Sequence, residues 1–329
     1  MLNLEGKARS RMPPAFQHLE LPVIGAPLFI ISTPALVIEQ CKSGVVGVLP
    51  ALNARPSSQL DEWLQEIKES LRAHDQTHPD APSAPFGVNL IVHKSNDRLE
   101  EDLRVCVKHQ VPMVVTSLGA RVEVNEHIHS YGGLVMHDVI NNDFAQKAIE
   151  KGADGLIAVA AGAGGHAGVK SPFALVQEIR EWFDGPLALS GAIATGQSVL
   201  AALAMGADFA YMGSVFIATQ EARASQAYKD CVVESTSDDI VYSNLFTGVH
   251  GNYLQQSIVN AGLDPKHLPQ SDPSKMNFSS DGVKAWRDIW GCGQGISTVK
   301  EVLYTRERVE RLKLEYQEAL NRLLQLKRF

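Results

Sequence analysis

Eight short apolar runs recur along the first two thirds of the chain, each followed by a segment of helical periodicity. The runs are rich in Val, Ile, Leu and Ala and do not alternate with polar residues, as expected for parallel strands buried on both faces. They cover residues 21–26, 44–49, 85–90, 113–117, 134–137, 155–160, 187–190 and 209–213. Eight strand–helix units in roughly 200 residues predict an α/β fold, a (βα)8 TIM barrel, rather than a doubly wound sheet of about five or six strands.

The strand–helix repeat stops near residue 219. Residues 220–290 are more polar, contain three prolines and show no such repeat. We predict that they form a smaller, mostly helical cap domain, inserted after strand 8 and covering the mouth of the barrel. Residues 1–219 and 291–329 then form the barrel domain, which ends in a helix at 297–329. The many charged residues of this helix indicate a solvated face, and a homodimer contact is the alternative interpretation.

Composition and charge narrow the function classes. The chain has 37 acidic and 30 basic residues and a net charge of −7, so it offers no general basic face for nucleic acid. Its four cysteines are far apart, which argues against a disulfide framework and a structural zinc site and fits a reducing cytoplasm. His127 and His129 lack carboxylates at ligand spacing, so we predict no metal site. The N-terminus has no apolar signal-peptide core, and residues 199–218 are interrupted by Asp208 and two glycines, so we predict no membrane span.

One histidine stands among four glycines directly after the sixth run, at residues 161–168. Because the reactive groups of such barrels lie at the carboxyl ends of the strands, this loop belongs at the barrel mouth. The glycines let the backbone approach a flat ligand, and His166 is the side chain of the loop that can exchange a proton near neutral pH. A flexible loop with an incidental histidine is the alternative, but the position at a strand end favours a catalytic role.

Two further strand ends carry glycine-containing turns that suit a phosphate group. They comprise Gly191 and Ala192 after the seventh run, and Gly213 and Ser214 after the eighth. Phosphate often binds at these two loops in barrels of this kind, where backbone amides meet a helix N-terminus. The alternative is that the glycines only permit tight turns between strand and helix.

The first and third runs end in residues that suit a planar ring. Ala26, Pro27 and Leu28 combine a fixed backbone with small side chains, which leaves room over the barrel. Asn89 offers both a donor and an acceptor to an amide-like ring edge, although Asn at a strand end is also a common turn residue. These positions therefore indicate a ligand site only in combination with the other strand ends.

Together, nine short sequence motifs resemble those of the nitronate monooxygenase family, formerly called 2-nitropropane dioxygenases. The resemblance spans residues 21–309, and it is the order and spacing of the motifs that make it specific. The matching phrases are Pro-Val-Ile-Gly-Ala-Pro at 22–27, Pro-Phe-Gly-Val-Asn-Leu at 85–90, Gly-Ala-Asp-Gly at 152–155, Gly-Gly-His-Ala-Gly at 164–168, Ser-Gly-Ala-Ile at 190–193, Gly-Ala-Asp at 206–208, Met-Gly-Ser at 212–214, Phe-Thr-Gly at 246–248 and Gly-Gln-Gly at 293–295.

The resemblance implies an FMN-bound barrel with a smaller domain over the flavin, and its catalytic histidine falls on His166. It implies that the FMN phosphate lies on the turns after the seventh and eighth runs, with the ring against the ends of the first and third. The cofactor-binding residues predicted in this way are Ala26, Pro27, Leu28, Asn89, Gly164, Ser190, Gly191, Ala192, Met212, Gly213, Ser214 and Gln294.

Three positions depart from the family pattern and bear on the substrate more than on the cofactor. Ser190, before Gly191 and Ala192, stands where many members have two adjacent glycines. Asp138 stands where some relatives carry a lysine that contacts the cofactor. Asn252 stands in the cap where an arginine is common.

The activity implied is oxidation of an alkyl nitronate, or of its parent nitroalkane, by FMN and O₂ to a carbonyl compound and nitrite. In this hypothesis His166 removes the α-proton of a nitroalkane or hydrogen-bonds the nitronate. Two alternatives stay open. The first is an NAD(P)H-dependent flavin reductase acting on quinones or enoyl thioesters, and the second is a non-catalytic flavin-binding protein.

Overall fold

A computed structural model describes residues 11–272 and 288–326. Within them, eight parallel strands close into a barrel, with helices between successive strands, which confirms the predicted (βα)8 TIM barrel. In chain order the strands are β1 (Val23–Gly25), β2 (Val46–Pro50), β3 (Phe86–Ile91), β4 (Met113–Ser117), β5 (Leu134–Val139), β6 (Gly155–Val159), β7 (Gly165–His166), β8 (Leu187–Ser190), β9 (Phe209–Met212), β10 (Ile240–Ser243) and β11 (Gly251–Leu254). Strands β1–β6, β8 and β9 form the barrel, and pairing of β1 with β9 closes it at Val23 and Ala210.

The α-helices of the described residues pack around the barrel and beside its mouth. In chain order they are α1 (Pro34–Lys42), α2 (Gln59–Thr77), α3 (Leu99–His109), α4 (Val122–His129), α5 (Asn142–Glu150), α6 (Pro172–Arg180), α7 (Gly196–Met205), α8 (Ser214–Ile217), α9 (Gln226–Glu234), α10 (Gln255–Asn260) and α11 (Thr305–Gln325). Helix α7 begins at Thr195, whose side chain forms a capping box with Ser198, and ends at Gly206 with φ +112°. None of the described helices is both long enough and apolar enough to cross a lipid bilayer.

The inside of the barrel is filled by side chains from alternate strand positions. A segment that precedes β1 covers the end of the barrel at which the strands begin. A short 3-10 helix at Pro14–Phe16 places the Phe16 ring edge-on against Phe209, with 6.3 Å between ring centroids. Phe16 is 2% exposed, and burial of such a side chain contributes about 2 kcal/mol. The interior is therefore a packed core at this end, and the ligand site belongs at the opposite, carboxyl end of the strands.

The region predicted as a cap contains a small sheet in addition to helices. Helices α9 and α10 lie in it, and β10 and β11 form an antiparallel pair that the sequence analysis did not predict. The third strand of this sheet is β7, which comes from the glycine-rich loop after β6. The cap is thereby joined by backbone hydrogen bonds to the barrel loop that carries His166. Residues 273–287 of the predicted cap lie outside the described residues.

The C-terminal helix is shorter than predicted. It was predicted over 297–329, but α11 begins at Thr305, where Tyr304 and Glu307 form the N-terminal cap, and a 3-10 helix occupies Gln294–Thr298. One side of α11 packs on α7: the Gly196 amide donates to Glu315 at 2.8 Å. Leu314, Leu323 and Leu324 of α11 are exposed, and residues 327–329 lie outside the described range.

Candidate active site

A cavity of about 1300 Å³ opens at the carboxyl end of the barrel strands. It is larger than the roughly 300–1000 Å³ that encloses a single drug-sized ligand. Its walls come from the carboxyl ends of the eight barrel strands and from residues of the predicted cap, among them Arg223, Tyr228 and Trp290. The cavity thus occupies the place where barrels of this type bind ligands, and it has room for more than one small molecule.

Most of the site residues predicted from the sequence meet at this cavity. The predicted residues in its lining are Ala26, Pro27, Leu28, Asn89, Gly164, His166, Ser190, Gly213 and Ser214. Gly191, Ala192, Met212 and Gln294 are not part of the lining. The amides of Ala192 and Gln294 both donate to the Gly162 carbonyl, at 3.2 and 2.9 Å, and the Met212 carbonyl accepts from Ala26 at 2.8 Å. These residues support the wall from behind, and a direct contact with a cofactor stays a prediction for them.

The glycine-rich loop after β6 is held by close backbone packing rather than left flexible. A Cβ on Gly164 would lie 2.7 Å from the amide nitrogen of Gly293, so any larger residue would push the two segments apart. Asn252 on β11 donates from its amide to the Ala163 carbonyl at 2.7 Å. Because both contacts fix the backbone next to β7, they determine where His166 stands.

The His166 ring lies at the junction of barrel and cap and is half-buried. Its Nε2 is 3.0 Å from the Thr247 hydroxyl oxygen, and that hydroxyl donates its own hydrogen to the Val249 carbonyl at 3.0 Å. The Thr247 oxygen therefore accepts from Nε2, which favours the neutral tautomer with its lone pair on Nδ1. Burial lowers the pKa of His166 to about 4, so the ring is neutral at pH 7.

The floor of the cavity carries a chain of hydrogen-bonded polar groups. The Asn89 amide donates to the Ser117 hydroxyl at 2.8 Å, and that hydroxyl donates to the Asp138 carboxylate at 2.5 Å. Burial raises the pKa of Asp138 to about 6, although the hydrogen bonds from Ser117 and Leu118 act in the opposite direction. Burial and the nearby Asp138 charge raise the pKa of Tyr211 well above its usual value. The second amide hydrogen of Asn89 is donated to the Val115 carbonyl at 3.1 Å, so Asn89 keeps only its oxygen as an acceptor for a ligand, while the neutral Tyr211 hydroxyl can donate.

The neighbouring His137 is a second neutral imidazole, and unlike the half-buried His166 it is buried. It is 5% exposed, and its Nδ1 lies 2.6 Å from the Thr116 hydroxyl. Burial, with a smaller effect of the Lys151 charge, lowers the pKa of His137 to about 4. Among the described residues no group of three or more His, Cys, Asp or Glu side chains is arranged to hold a metal ion.

The loop after β1 is clamped in a strained conformation by a residue that the sequence analysis missed. Ile30 has φ +68°, a left-handed conformation that β-branched residues rarely adopt. Buried Asn53 accepts from the Ile30 amide at 2.7 Å and donates to the carbonyls of Leu28 and Ser32 at 3.0 and 2.8 Å. Strain of this kind persists only where the surroundings enforce it, and it is common at functional sites. A polar Asn three residues after the end of the apolar β2 was the signal that could have identified it.

Comparison with known proteins gives one family and several similar folds. The family model described as nitronate monooxygenase matches residues 12–279. A putative monooxygenase of Mycobacterium tuberculosis, Rv1533, is 31% identical over 192 residues, which are 57% of this chain and 50% of that protein. This chain thus matches half the length of that relative.

Two solved structures share the architecture at low sequence identity. Nitroalkane oxidase from Streptomyces ansochromogenes superposes with a TM-score of 0.77 at 22% identity, covering 92% of this chain and 97% of its own. FabK from Thermotoga maritima gives 0.73 at 21% identity, covering 93% and 96%. At these identities the two structures support the fold alone.

Proposed function

The chain belongs to the nitronate monooxygenase family, and from this premise we propose that it is an FMN-dependent oxidoreductase that converts alkyl nitronates and O₂ to carbonyl compounds and nitrite. One observation carries the proposal. His166 is a neutral imidazole, fixed by a strand pair and by Thr247, in the lining of a large cavity at the carboxyl end of a closed barrel. That is the arrangement which proton transfer beside a bound redox cofactor requires.

The residues present fit a flavin mononucleotide. Gly213 and Ser214 offer backbone amides and a hydroxyl in the phosphate position after β9, and a Cβ on Gly213 would approach Leu28 to 3.2 Å, so the glycine keeps this corner open. The apolar wall of Ala26, Pro27 and Leu28 suits a ring face, and Asn89 suits a ring edge. The flavin would supply the electron transfer from the nitronate to O₂, which no side chain of the cavity can perform.

The protein's own contribution is placement, an apolar enclosure and one proton-transfer group. We assign the His166 ring, whose Nε2 is held by the Thr247 oxygen, to receive a proton from the α-carbon of a nitroalkane. A base whose pKa is near 4 has little driving force for removing a carbon-bound proton. We therefore propose that the preformed nitronate is the better substrate, since a bound anion instead stabilises a positive charge on the ring.

The test combines cofactor identification with two substrates. The purified protein is expected to be yellow and to release FMN on denaturation, and it should consume O₂ and form nitrite with an alkyl nitronate. His166→Asn should lower kcat/KM for the neutral nitroalkane by about 10²-fold, the lower end for a general base because the pKa of His166 is low, and for the preformed nitronate by much less. Equal losses on both substrates would argue against the role as a base.

A matched variant separates the base from general damage to the cavity. His250 also lies in the cavity lining, stacked on Tyr242 at 5.1 Å, so His250→Asn should not produce the selective loss on the nitroalkane. The reductase alternative is tested by anaerobic mixing with NADH or NADPH. Rapid bleaching of the flavin, without nitrite formation from a nitronate, would replace the proposed function with that alternative, and the absence of both reactions would favour a non-catalytic flavin-binding protein.

A further inference from the structure

The cavity mouth carries a cluster of positively charged side chains to which the proposed nitronate oxidation assigns no role. Arg55 follows β2, Arg98 precedes α3, and Arg223 follows α8, and all three line the cavity on the same side as the strained Ile30 loop. Arg55 and Arg223 are exposed, whereas Arg98 is half-buried. This cluster occurs on a chain whose net charge is −7.

The two exposed guanidinium groups are held in position. The Arg55 Nε donates to the Leu52 carbonyl at 3.2 Å, and its Cζ lies 5.9 Å from the centroid of the Phe29 ring. The Arg223 Nε donates to the Ile30 carbonyl at 2.8 Å, and its Cζ lies 5.8 Å from the centroid of Trp63. Each arginine thus has one carbonyl and one aromatic ring that restrict it, which lowers the entropy cost of binding a ligand through its terminal nitrogens.

Among the described residues no carboxylate forms an ion pair with Arg55 or Arg223, although Asp97 also lines the cavity. Within those residues Arg98 forms an ion pair with Asp102 at 2.8 Å, but neither Arg55 nor Arg223 has a carboxylate within 4.0 Å. Arg55 is also repelled by the other two arginines. The charge of Arg98 contributes to lowering the pKa of Arg55, and the charge of Arg55 contributes to lowering that of Arg223, in each case after the larger effect of burial. Fixed like charges of this kind are relieved by an anion that bridges them.

We propose that Arg55 and Arg223 form a binding subsite for the phosphate of an organic substrate or reductant whose reacting end lies deeper in the cavity. The chemistry shared by such ligands is a phosphate or pyrophosphate group on a nucleotide arm, and the two sources are a coenzyme A thioester and a nicotinamide dinucleotide. A cavity of about 1300 Å³ leaves space for such an arm in addition to the cofactor. The inference rests on the proposed flavin chemistry at His166 and adds a larger, anionic reactant to it.

The experiment measures binding to the flavin-loaded enzyme, independently of turnover. Isothermal titration calorimetry at low salt with coenzyme A, NADP⁺ and inorganic phosphate as probes should show binding of at least one of the two nucleotides. Arg55→Gln and Arg223→Gln should each weaken that binding by about tenfold to a hundredfold, the range typical of a charge-assisted hydrogen bond to phosphate. Arg104→Gln is the matched control, because Arg104 is exposed on α3 but does not line the cavity.

The outcomes separate the inference from the proposed function. Preferential binding of coenzyme A identifies a thioester and preferential binding of NADP⁺ identifies a dinucleotide reductant; both support the subsite. Failure of both nucleotides to bind at millimolar concentration, or equal affinity in wild type and in Arg55→Gln/Arg223→Gln, overturns it, while nitronate turnover by the wild type is judged separately. If the double variant loses its flavin, Arg55→Lys/Arg223→Lys takes its place, because it retains both charges and should keep part of the affinity for the nucleotide. A nucleotide affinity that does not change in 0.3 M NaCl would also contradict an electrostatic subsite.

Discussion

Asn53 offers the sharpest test of how the site is built. In Asn53→Ala the three hydrogen bonds that hold the loop of residues 28–32 are lost. At about 1 kcal/mol net each they contribute about 3 kcal/mol, but release of the Ile30 strain returns about 1–2 kcal/mol. The free energy of unfolding should therefore fall by only about 1–2 kcal/mol, while the loop abandons the left-handed conformation at Ile30 and the cavity wall changes shape.

The two effects call for two measurements. Urea denaturation reports the free energy of unfolding, and equilibrium dialysis reports the affinity for FMN, which we expect to fall at least tenfold because Leu28 lies on the same loop. Asn125→Ala is the control for loss of a buried amide, since Asn125 is 3% exposed on α4, bonds the Lys151 carbonyl and does not line the cavity. It should reduce stability without a comparable loss of FMN affinity.

A second substitution tests the strain itself. Glycine adopts φ near +68° without a steric penalty, so Ile30→Gly combined with Asn53→Ala should recover part of the lost FMN affinity. If Asn53→Ala leaves FMN affinity within twofold of the wild type, or if glycine at position 30 recovers none of the loss, the argument that Asn53 enforces a strained cofactor wall is refuted.

Three further predictions concern stability. His137 and His166 have pKa values near 4 in the folded protein and near 6.5 when unfolded, so the unfolded state binds their protons first and stability falls as the pH drops from 6.5 to 4. Asp138, with a pKa near 6 in the folded protein, has the opposite effect between pH 4 and 6. Near pH 5 the three groups together should therefore lower the free energy of unfolding by about 1.4 kcal/mol for each unit by which the pH falls. Asp138→Asn should roughly double that slope in denaturant titrations at several pH values; an unchanged slope would mean that Asp138 is ionised in the fold. Gly196→Ala should lower the free energy of unfolding by about 1–3 kcal/mol in the same assay, because the Cβ of the alanine would lie 2.1 Å from the Tyr316 amide nitrogen of α11. Since alanine normally favours a helix, a gain in stability would contradict this packing.

The barrel could be predicted because its elements are defined locally. Each strand is a continuous apolar run and each helix has its own periodicity, so even the weak strand at Leu134–Val139 could be placed by counting units. The start of α11 could not, since the hydrophobic pattern continues through residues 297–304 and only the capping of Tyr304 by Glu307 distinguishes them. The cap sheet could not either. Strands β7, β10 and β11 have two to four residues each, and the pairing of β7 with β11 joins segments about 85 residues apart in sequence.

The site shows the same division between local and long-range information. Nine predicted residues meet at the cavity because strand ends converge in any parallel barrel. Asn53 and the arginine pair were missed because their roles depend on contacts across the mouth: Asn53 with the loop after β1, and Arg223 with the Ile30 carbonyl. Neither contact leaves a periodic trace in the sequence.

The position of His166 shows how the two parts of the molecule share the chemistry. The barrel supplies the strand ends that would hold a cofactor, but His166 stands on β7, whose partner β11 belongs to the cap, and its Nε2 bonds the cap residue Thr247. The position of His166 therefore depends on contacts with the cap, whereas Gly213 and Ser214, the proposed phosphate site, directly follow the barrel strand β9. If the proposed function is right, substitutions in the cap should alter the preference between nitroalkane and nitronate more than the affinity for the cofactor, because the proposed cofactor residues lie on the barrel.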